Sequence, residues 1–270
     1  MLRYFIVLCL LVVTSVAAQD SRSNKSSKKN KTILQTIAGL SYYQSKAAIE
    51  EASIILILLH GYGSGADDLV PVGKKLFYSQ DYHFLNDYIS CLYPVGPIET
   101  YEGGRAWSEL NGEGFMQTQS KLKAFVKSIQ VMNPAAYMVV GGFSQGAIMT
   151  LNLMSKEIDA ITGYALFAPA NMMLTKPKGI NVKPVFMTHG RKDKVLPFRE
   201  SLSIKNYLKS KKYPITWAPH DEGHVIVDST LKTFELFIMS LLQEGEIDFL
   251  KQEYAKQNPI EEVEVSEIVN

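Results

Sequence analysis

Tyr137-Met138-Val139-Val140-Gly141-Gly142-Phe143-Ser144-Gln145-Gly146 runs without a break into Ala147-Ile148-Met149-Thr150-Leu151-Asn152-Leu153-Met154. An apolar run ends in glycines, a serine stands between Gly142 and Gly146, and a proline-free stretch of helix formers follows. This is G-x-S-x-G between a strand and a helix, the context that gives the motif meaning. There the chain must reverse within a few residues. The glycines let strand and helix pack closely, while the serine takes a strained conformation that lifts its hydroxyl above the sheet edge, at the helix N-terminus. The plainer reading is Ser144 as the N-cap of an ordinary helix. The choice turns on whether partners for a nucleophile follow.

In α/β-hydrolase folds those partners come in the order nucleophile, acid, histidine. Of the five histidines, His60, His83 and His189 precede any plausible acid, which leaves His220 and His224. His224 follows the strand-like Ile215-Thr216-Trp217-Ala218 and the turn Asp221-Glu222-Gly223, and precedes an amphipathic helix starting near Asp228. A histidine on such a loop can swing over the sheet edge; His220 reads more simply as an exposed loop residue. Among the acids after Ser144, Asp159 reads as the end of a helix and Asp228 as a helix cap, with Asp221 also open. Asp193 follows the apolar Pro184-Val185-Phe186-Met187-Thr188-His189-Gly190 and so leaves the carboxyl end of a buried strand, where catalytic groups collect in open α/β sheets.

A serine hydroxyl is a poor nucleophile near neutral pH, so His224 is expected to take its proton and later deliver it to the leaving group. Asp193 would fix the imidazole tautomer and stabilise the imidazolium. Two donors must meet the oxyanion. The backbone N–H of Gln145 is one candidate. The other is the N–H of Tyr62, where the buried strand Ile54-Ile55-Leu56-Ile57-Leu58-Leu59 runs into His60-Gly61-Tyr62-Gly63-Ser64-Gly65.

His60-Gly61-Tyr62-Gly63 with Asp67-Asp68-Leu69, Gly103-Gly104-Arg105-Ala106-Trp107, Gly142-Phe143-Ser144-Gln145-Gly146, His189-Gly190 with Asp193 and Val195-Leu196-Pro197, and Gly223-His224 occur together and in order. Over about residues 36 to 243 the chain resembles the phospholipase/carboxylesterase family of α/β-hydrolases, which includes the acyl-protein thioesterases. The resemblance implies Ser144, Asp193 and His224 as the triad and Tyr62 and Gln145 as oxyanion donors. It also implies hydrolysis of carboxylic esters or thioesters without metal or organic cofactor. Two departures lie in segments expected to border the cleft: Ser108-Glu109-Leu110 follows Trp107 where many relatives have an aromatic residue, and Val95-Gly96 replaces a more frequent Asn-Ala pair.

At the N-terminus, Arg3, the apolar Tyr4 to Val13 and the small Val16-Ala17-Ala18 have the order of a secretory signal, so residues 1–18 read as a cleaved signal peptide and the protein as periplasmic or secreted, with a weak leaning to a bacterial periplasm. The apolar part is shorter than the ~20 residues of a membrane span. Cys9 would leave with the signal, and Cys91, on a strand-like run, reads as a core thiol. Residues 19–35 read as a basic disordered linker and 244–270 as an acidic C-terminal tail. A net charge of +1 gives no support for nucleic-acid binding.

Residues 36–243 are enough for one domain with a large core. Strand candidates near 54–59, 88–93, 137–141, 161–167, 184–188 and 214–218 alternate with helical stretches near 66–79, 115–132, 146–157, 198–211 and 228–243. That alternation predicts an α/β-hydrolase fold with a mainly parallel central sheet, helices on both faces and no large lid domain. Residues 36–48 would add an edge strand. The glycine-rich segment from Gly96 to Phe115 carries Tyr101, Arg105, Trp107 and Phe115 and is expected to wall the acyl pocket. Met149, Met154, Met172 and Met173 read as core filler before channel lining. The expected function is a serine hydrolase of carboxylic esters or thioesters, acting on a small molecule, a lipid or an acylated protein. A serine peptidase of the same fold and a non-catalytic binding protein are the alternatives. No pair of histidines has helical ligand spacing with a carboxylate, so neither metal nor other cofactor is expected.

Overall fold

The computed structural model describes residues 34–79, 81–172, 176–243 and 245–258. Among these the strands are β1 (Gln35–Ile37), β2 (Leu40–Lys46), β3 (Ile54–Leu59), β4 (Ile89–Pro94), β5 (Ile98–Glu99), β6 (Arg105–Ala106), β7 (Tyr137–Phe143), β8 (Ile161–Phe167), β9 (Val185–Thr188) and β10 (Ile215–Trp217). The helices are α1 (Val70–Lys75), α2 (Phe115–Met132), α3 (Gln145–Met154), α4 (Phe198–Ser210), α5 (Asp228–Met239) and α6 (Glu246–Gln257). Eight strands form one sheet in the order β1-β2-β4-β3-β7-β8-β9-β10. From β4 to β10 every neighbouring pair is parallel, and the β1–β2 hairpin joins antiparallel to β4.

A continuous apolar strand makes sense only where both faces are covered. β3 shows this directly: Ile55, Ile57 and Leu59 enter the core under α2, α3 and α4, with Leu122, Phe125, Met149 and Ile204. Ile54, Leu56 and Leu58 enter the opposite core, with Val72 of α1, Phe234 of α5 and Leu250 of α6. There Phe167, Phe186, Phe234 and Phe237 pack ring to ring, with centroids 5.0–6.1 Å apart.

The expected strands are present with bounds moved by a residue or two, and residues 36–48 supply the edge as a hairpin. The helix expected over 66–79 is shorter. A 3-10 turn at Ala66–Leu69 leads into α1, whose Pro71 sits in the first turn where no N–H is needed, and Leu76 leaves the helix with extended backbone. A helix not anticipated is α6, in the stretch read as acidic tail; it buries Leu250 and sets Tyr254 against His83 and Phe84. No lid domain is present among the described residues, and no helix there is long and apolar enough to cross a membrane.

Candidate active site

β7 delivers Ser144 to the carboxyl end of the sheet, and α3 begins at the next residue. Ser144 has φ 55° and ψ −116°, a conformation that costs a non-glycine residue of order 1–3 kcal/mol. It is held by the Ser144 N–H donating to Phe167 O at 2.9 Å and by Ile148 N–H donating to Ser144 O at 3.1 Å. Gly146 makes the crossing possible, because a Cβ there would lie 2.0 Å from Leu59 O at the end of β3.

The loops after β9 and β10 bring Asp193 and His224 together: His224 Nδ1–H donates to Asp193 Oδ2 at 2.6 Å. Asp193 Oδ1 accepts the N–H groups of Val195 and Leu196, both at 2.8 Å. Burial alone would raise this carboxyl. The donors on His189, His224 and the Leu196 backbone outweigh it and hold Asp193 well below the usual carboxylate range. With Nδ1 committed to Asp193, the other ring nitrogen of His224 is the one able to take a proton. The ring packs against Phe143, centroids 4.7 Å apart, beside Ser144.

The competing acids are engaged elsewhere. Asp159 accepts from Asn181 at 2.8 Å, Asp221 pairs with Arg191 at 3.2 Å and Asp228 with Lys75 at 2.6 Å. His220, expected to be exposed, is buried and accepts the Glu222 N–H at 3.3 Å, because its own backbone pairs with the Gly190 turn just after β9.

On the other side of Ser144 lies the Gly61–Gly63 turn, close enough that a Cβ on Gly61 would meet Ser144 Cβ at 3.5 Å. Fully buried His60 braces this turn: its Nδ1–H donates to Gly61 O at 2.7 Å and its Nε2 accepts the Gly96 N–H at 2.9 Å. Burial lowers its pKa, which keeps the ring neutral and Nε2 an acceptor. Trp107 Nε1–H donates to His60 O at 2.8 Å, and the Trp107 N–H donates to Gln145 Oε1 at 2.9 Å. Gln145 Nε2 donates in turn to Ser108 O at 2.8 Å. Gly63 N–H to Arg105 O and Arg105 N–H to Ser64 O complete the seam, where a Cβ on Gly104 would lie 1.9 Å from Gly63 O.

Of the aromatics of the 96–115 segment, Trp107 therefore serves this seam and the core, and Phe115 the core. Trp107 and Phe115 are buried in the core under α2, Tyr101 is fully exposed, and Arg105 donates to Gly96 O and Pro97 O. None of the four lines the cavity of about 320 Å³ next to His224. Its walls come from Leu69 and Val72, from Phe143, and from Val225, Ile226 and Leu231, with Asp68, Lys75 and Asp228 supplying charge. Met149 and Met154 are core, Met172 is exposed and Met173 lies outside the described residues. Among the described residues no three His, Cys, Asp or Glu side chains are grouped to hold a metal ion.

A phospholipase/carboxylesterase family model matches residues 44–242. Acyl-protein thioesterase 1 of Candida albicans is 26% identical over 172 residues, covering 54% of this chain and 73% of the relative. The protein of the same name from Saccharomyces cerevisiae is 28% identical over 192 residues, covering 60% and 84%. In fold the chain is similar to a carboxylesterase from Mesorhizobium loti, with a TM-score of 0.63 at 17% identity over 77% of this chain and 98% of that one. The Bacillus cereus carboxylesterase gives a TM-score of 0.59 at 19% identity over 75% and 95%. These relatives correct the expected location: fungal acyl-protein thioesterases stand among the curated matches, against a periplasmic or secreted enzyme of bacterial leaning. Residues 1–18, on which that expectation rested, lie outside the described residues.

Proposed function

The chain belongs to the phospholipase/carboxylesterase family of α/β-hydrolases and is a serine hydrolase of esters or thioesters, and we propose that it works through an acyl-enzyme on Ser144 with Asp193 and His224 as partners. The observation that carries this reading is the 2.6 Å bond from His224 to Asp193, made at the sheet end where Ser144 stands in its strained turn. As Ser144 Oγ bonds to the substrate carbonyl carbon, its proton passes to His224 Nε2. Asp193 stabilises the imidazolium across Nδ1. The carbonyl oxygen becomes an oxyanion facing the N–H groups of Tyr62 and Gln145; Gln145 opens α3, so its N–H has no partner within the helix. Collapse breaks the bond to the leaving oxygen or sulfur, which takes the proton from His224. Water then repeats the sequence, with His224 as base, and releases the carboxylic acid and free Ser144.

The acyl-protein thioesterase relatives support an acyl group carried on a protein as one substrate class. The apolar part of the substrate lies in the cavity walled by Val72, Phe143, Ile226 and Leu231, whose volume of about 320 Å³ is at the small end for ligand sites. The test uses the full chain, its Ser144→Ala variant, and p-nitrophenyl esters and acyl thioesters from acetyl to palmitoyl. The reading expects turnover that vanishes in the variant, an optimum shorter than palmitoyl, and labelling by a fluorophosphonate at Ser144 alone. Activity surviving in folded Ser144→Ala, or labelling elsewhere, overturns it.

A further inference from the structure

The reaction as written uses two members of a tighter cluster. His189, on the turn leaving β9, has a fully buried side chain, and its Nε2 faces Leu196 O at 2.8 Å and Asp193 Oδ2 at 3.1 Å. A lone pair there would face two oxygens with no water to separate them, so Nε2 carries the proton. On the far side of the ring, Nδ1 meets the hydroxyl of Ser201 on α4, which also lies 3.3 Å from Pro169 O after β8. The 193–196 loop and α4 thus clamp one imidazole, with Pro169 O steadying the Ser201 hydroxyl. The imidazole Nε2–H bonds Leu196 O and lies against the same carboxylate oxygen that receives His224.

We propose that His189 is a positioning residue for the hydrolysis: through Oδ2 it holds the Asp193 carboxylate aimed at His224 and takes up part of its charge. The inference rests on the roles given above to Ser144, Asp193 and His224. Two donors on one oxygen divide its electron density, so less remains to stabilise the imidazolium of His224. Other groups bear on both rings. His220 faces the His189 and Asp193 side, Arg191 stacks on the Phe198 ring that packs edge-on against His189, and Asp68, Lys75 and Asp228 share the cavity with His224. The variants below leave all of these in place.

The experiment is the pH dependence of kcat/KM on a p-nitrophenyl ester for the full chain, His189→Leu and His189→Gln. The acidic limb reports the base of the free enzyme. In His189→Leu it moves to higher pH by about half a unit or more, with kcat lowered. His189→Gln, which keeps an N–H near the Nε2 position, returns the limb to the wild-type pH. A limb that stays put in folded His189→Leu, or moves equally in both variants, overturns the proposal. Where His189→Leu does not fold, imidazole proton NMR of the wild type and Asp193→Asn decides: both the His189 Nε2–H and His224 Nδ1–H signals shift, and a His189 signal indifferent to the substitution overturns it. Activity persisting in Ser144→Ala would instead count against the nucleophile assignment, whatever the limb does.

Discussion

Replacing Gln145 by Met removes a side chain that touches nothing in the reaction as written, yet it should weaken both the fold and the rate. The backbone N–H of residue 145 is retained, as are Ser144, Asp193 and His224. What is lost is the acceptor for the Trp107 N–H at 2.9 Å and the donor for Ser108 O at 2.8 Å. Trp107 is fully buried and Ser108 nearly so, so neither group recovers full hydration. An orphaned buried group costs about 1–3 kcal/mol, and two with partial rescue by water cost about 2–4 kcal/mol. In a domain of this size that is a fall in Tm of about 5–15 °C. The freed segment also carries Trp107 away from His60 O, and an ångström of drift near an oxyanion site costs up to ~100-fold. Thermal melts and kcat/KM on one p-nitrophenyl ester read the two effects. Gln145→Glu separates them: it keeps the acceptor for Trp107 but sets a carboxylate against Ser108 O, and should be at least as damaging. Gln145→Met with Tm within about 1 °C of wild type and unchanged kcat/KM would refute the reasoning, since two buried bonds of that kind cannot vanish silently.

Gly146→Ala puts a methyl carbon 2.0 Å from Leu59 O, a collision with backbone that side-chain motion cannot relieve, so soluble folded protein should be lost or its melt strongly lowered in circular dichroism. Asp193 gives a stability signature against pH. Its folded-state pKa lies below the ordinary 3.8, so its contribution is full above 3.8 and is lost as pH falls below it. Urea unfolding of wild type should therefore weaken below that pH more steeply than unfolding of Asp193→Asn, which should also lose about 10⁴ in kcat at neutral pH; equal acid slopes in the two proteins would contradict the assignment.

The sheet was legible because buried parallel strands are written as unbroken apolar runs, as in Ile54–Leu59 and Ile161–Phe167. That Asp193 and His224 meet was legible because each follows such a run, and chain order left few rivals. The braces were not. His60 and His189 were set aside on chain order, and their partners are backbone atoms of Gly61, Gly96 and Leu196 that no residue pattern marks. The aromatics between Gly96 and Phe115 suggested a pocket wall, but composition does not tell an aromatic that meets substrate from one whose ring NH is spent on a carbonyl, as Trp107's is. α6 was missed because it buries a single side chain, Leu250, too little apolar surface to stand out from the acidic residues around it. Phe249, Leu250 and Tyr254 after Gly245 were the available signal.

The two banks of the cleft are fastened very differently. On one, the Gly61–Gly63 turn, the Trp107 segment and the start of α3 are stitched through His60 and Gln145 into a single polar weave. On the other, α1 and the start of α5 meet through apolar side chains and one surface ion pair, Lys75–Asp228, exposed by 56% and 76%, a class of contact worth about 0–1 kcal/mol. A substitution at Val72, Val225 or Leu231 alters what fits beside His224 without reaching the atoms proposed to meet the oxyanion. One at Trp107 or Gln145 strikes those atoms at once. Selection can therefore retune diet on the loose bank while the reaction itself is inherited intact on the other.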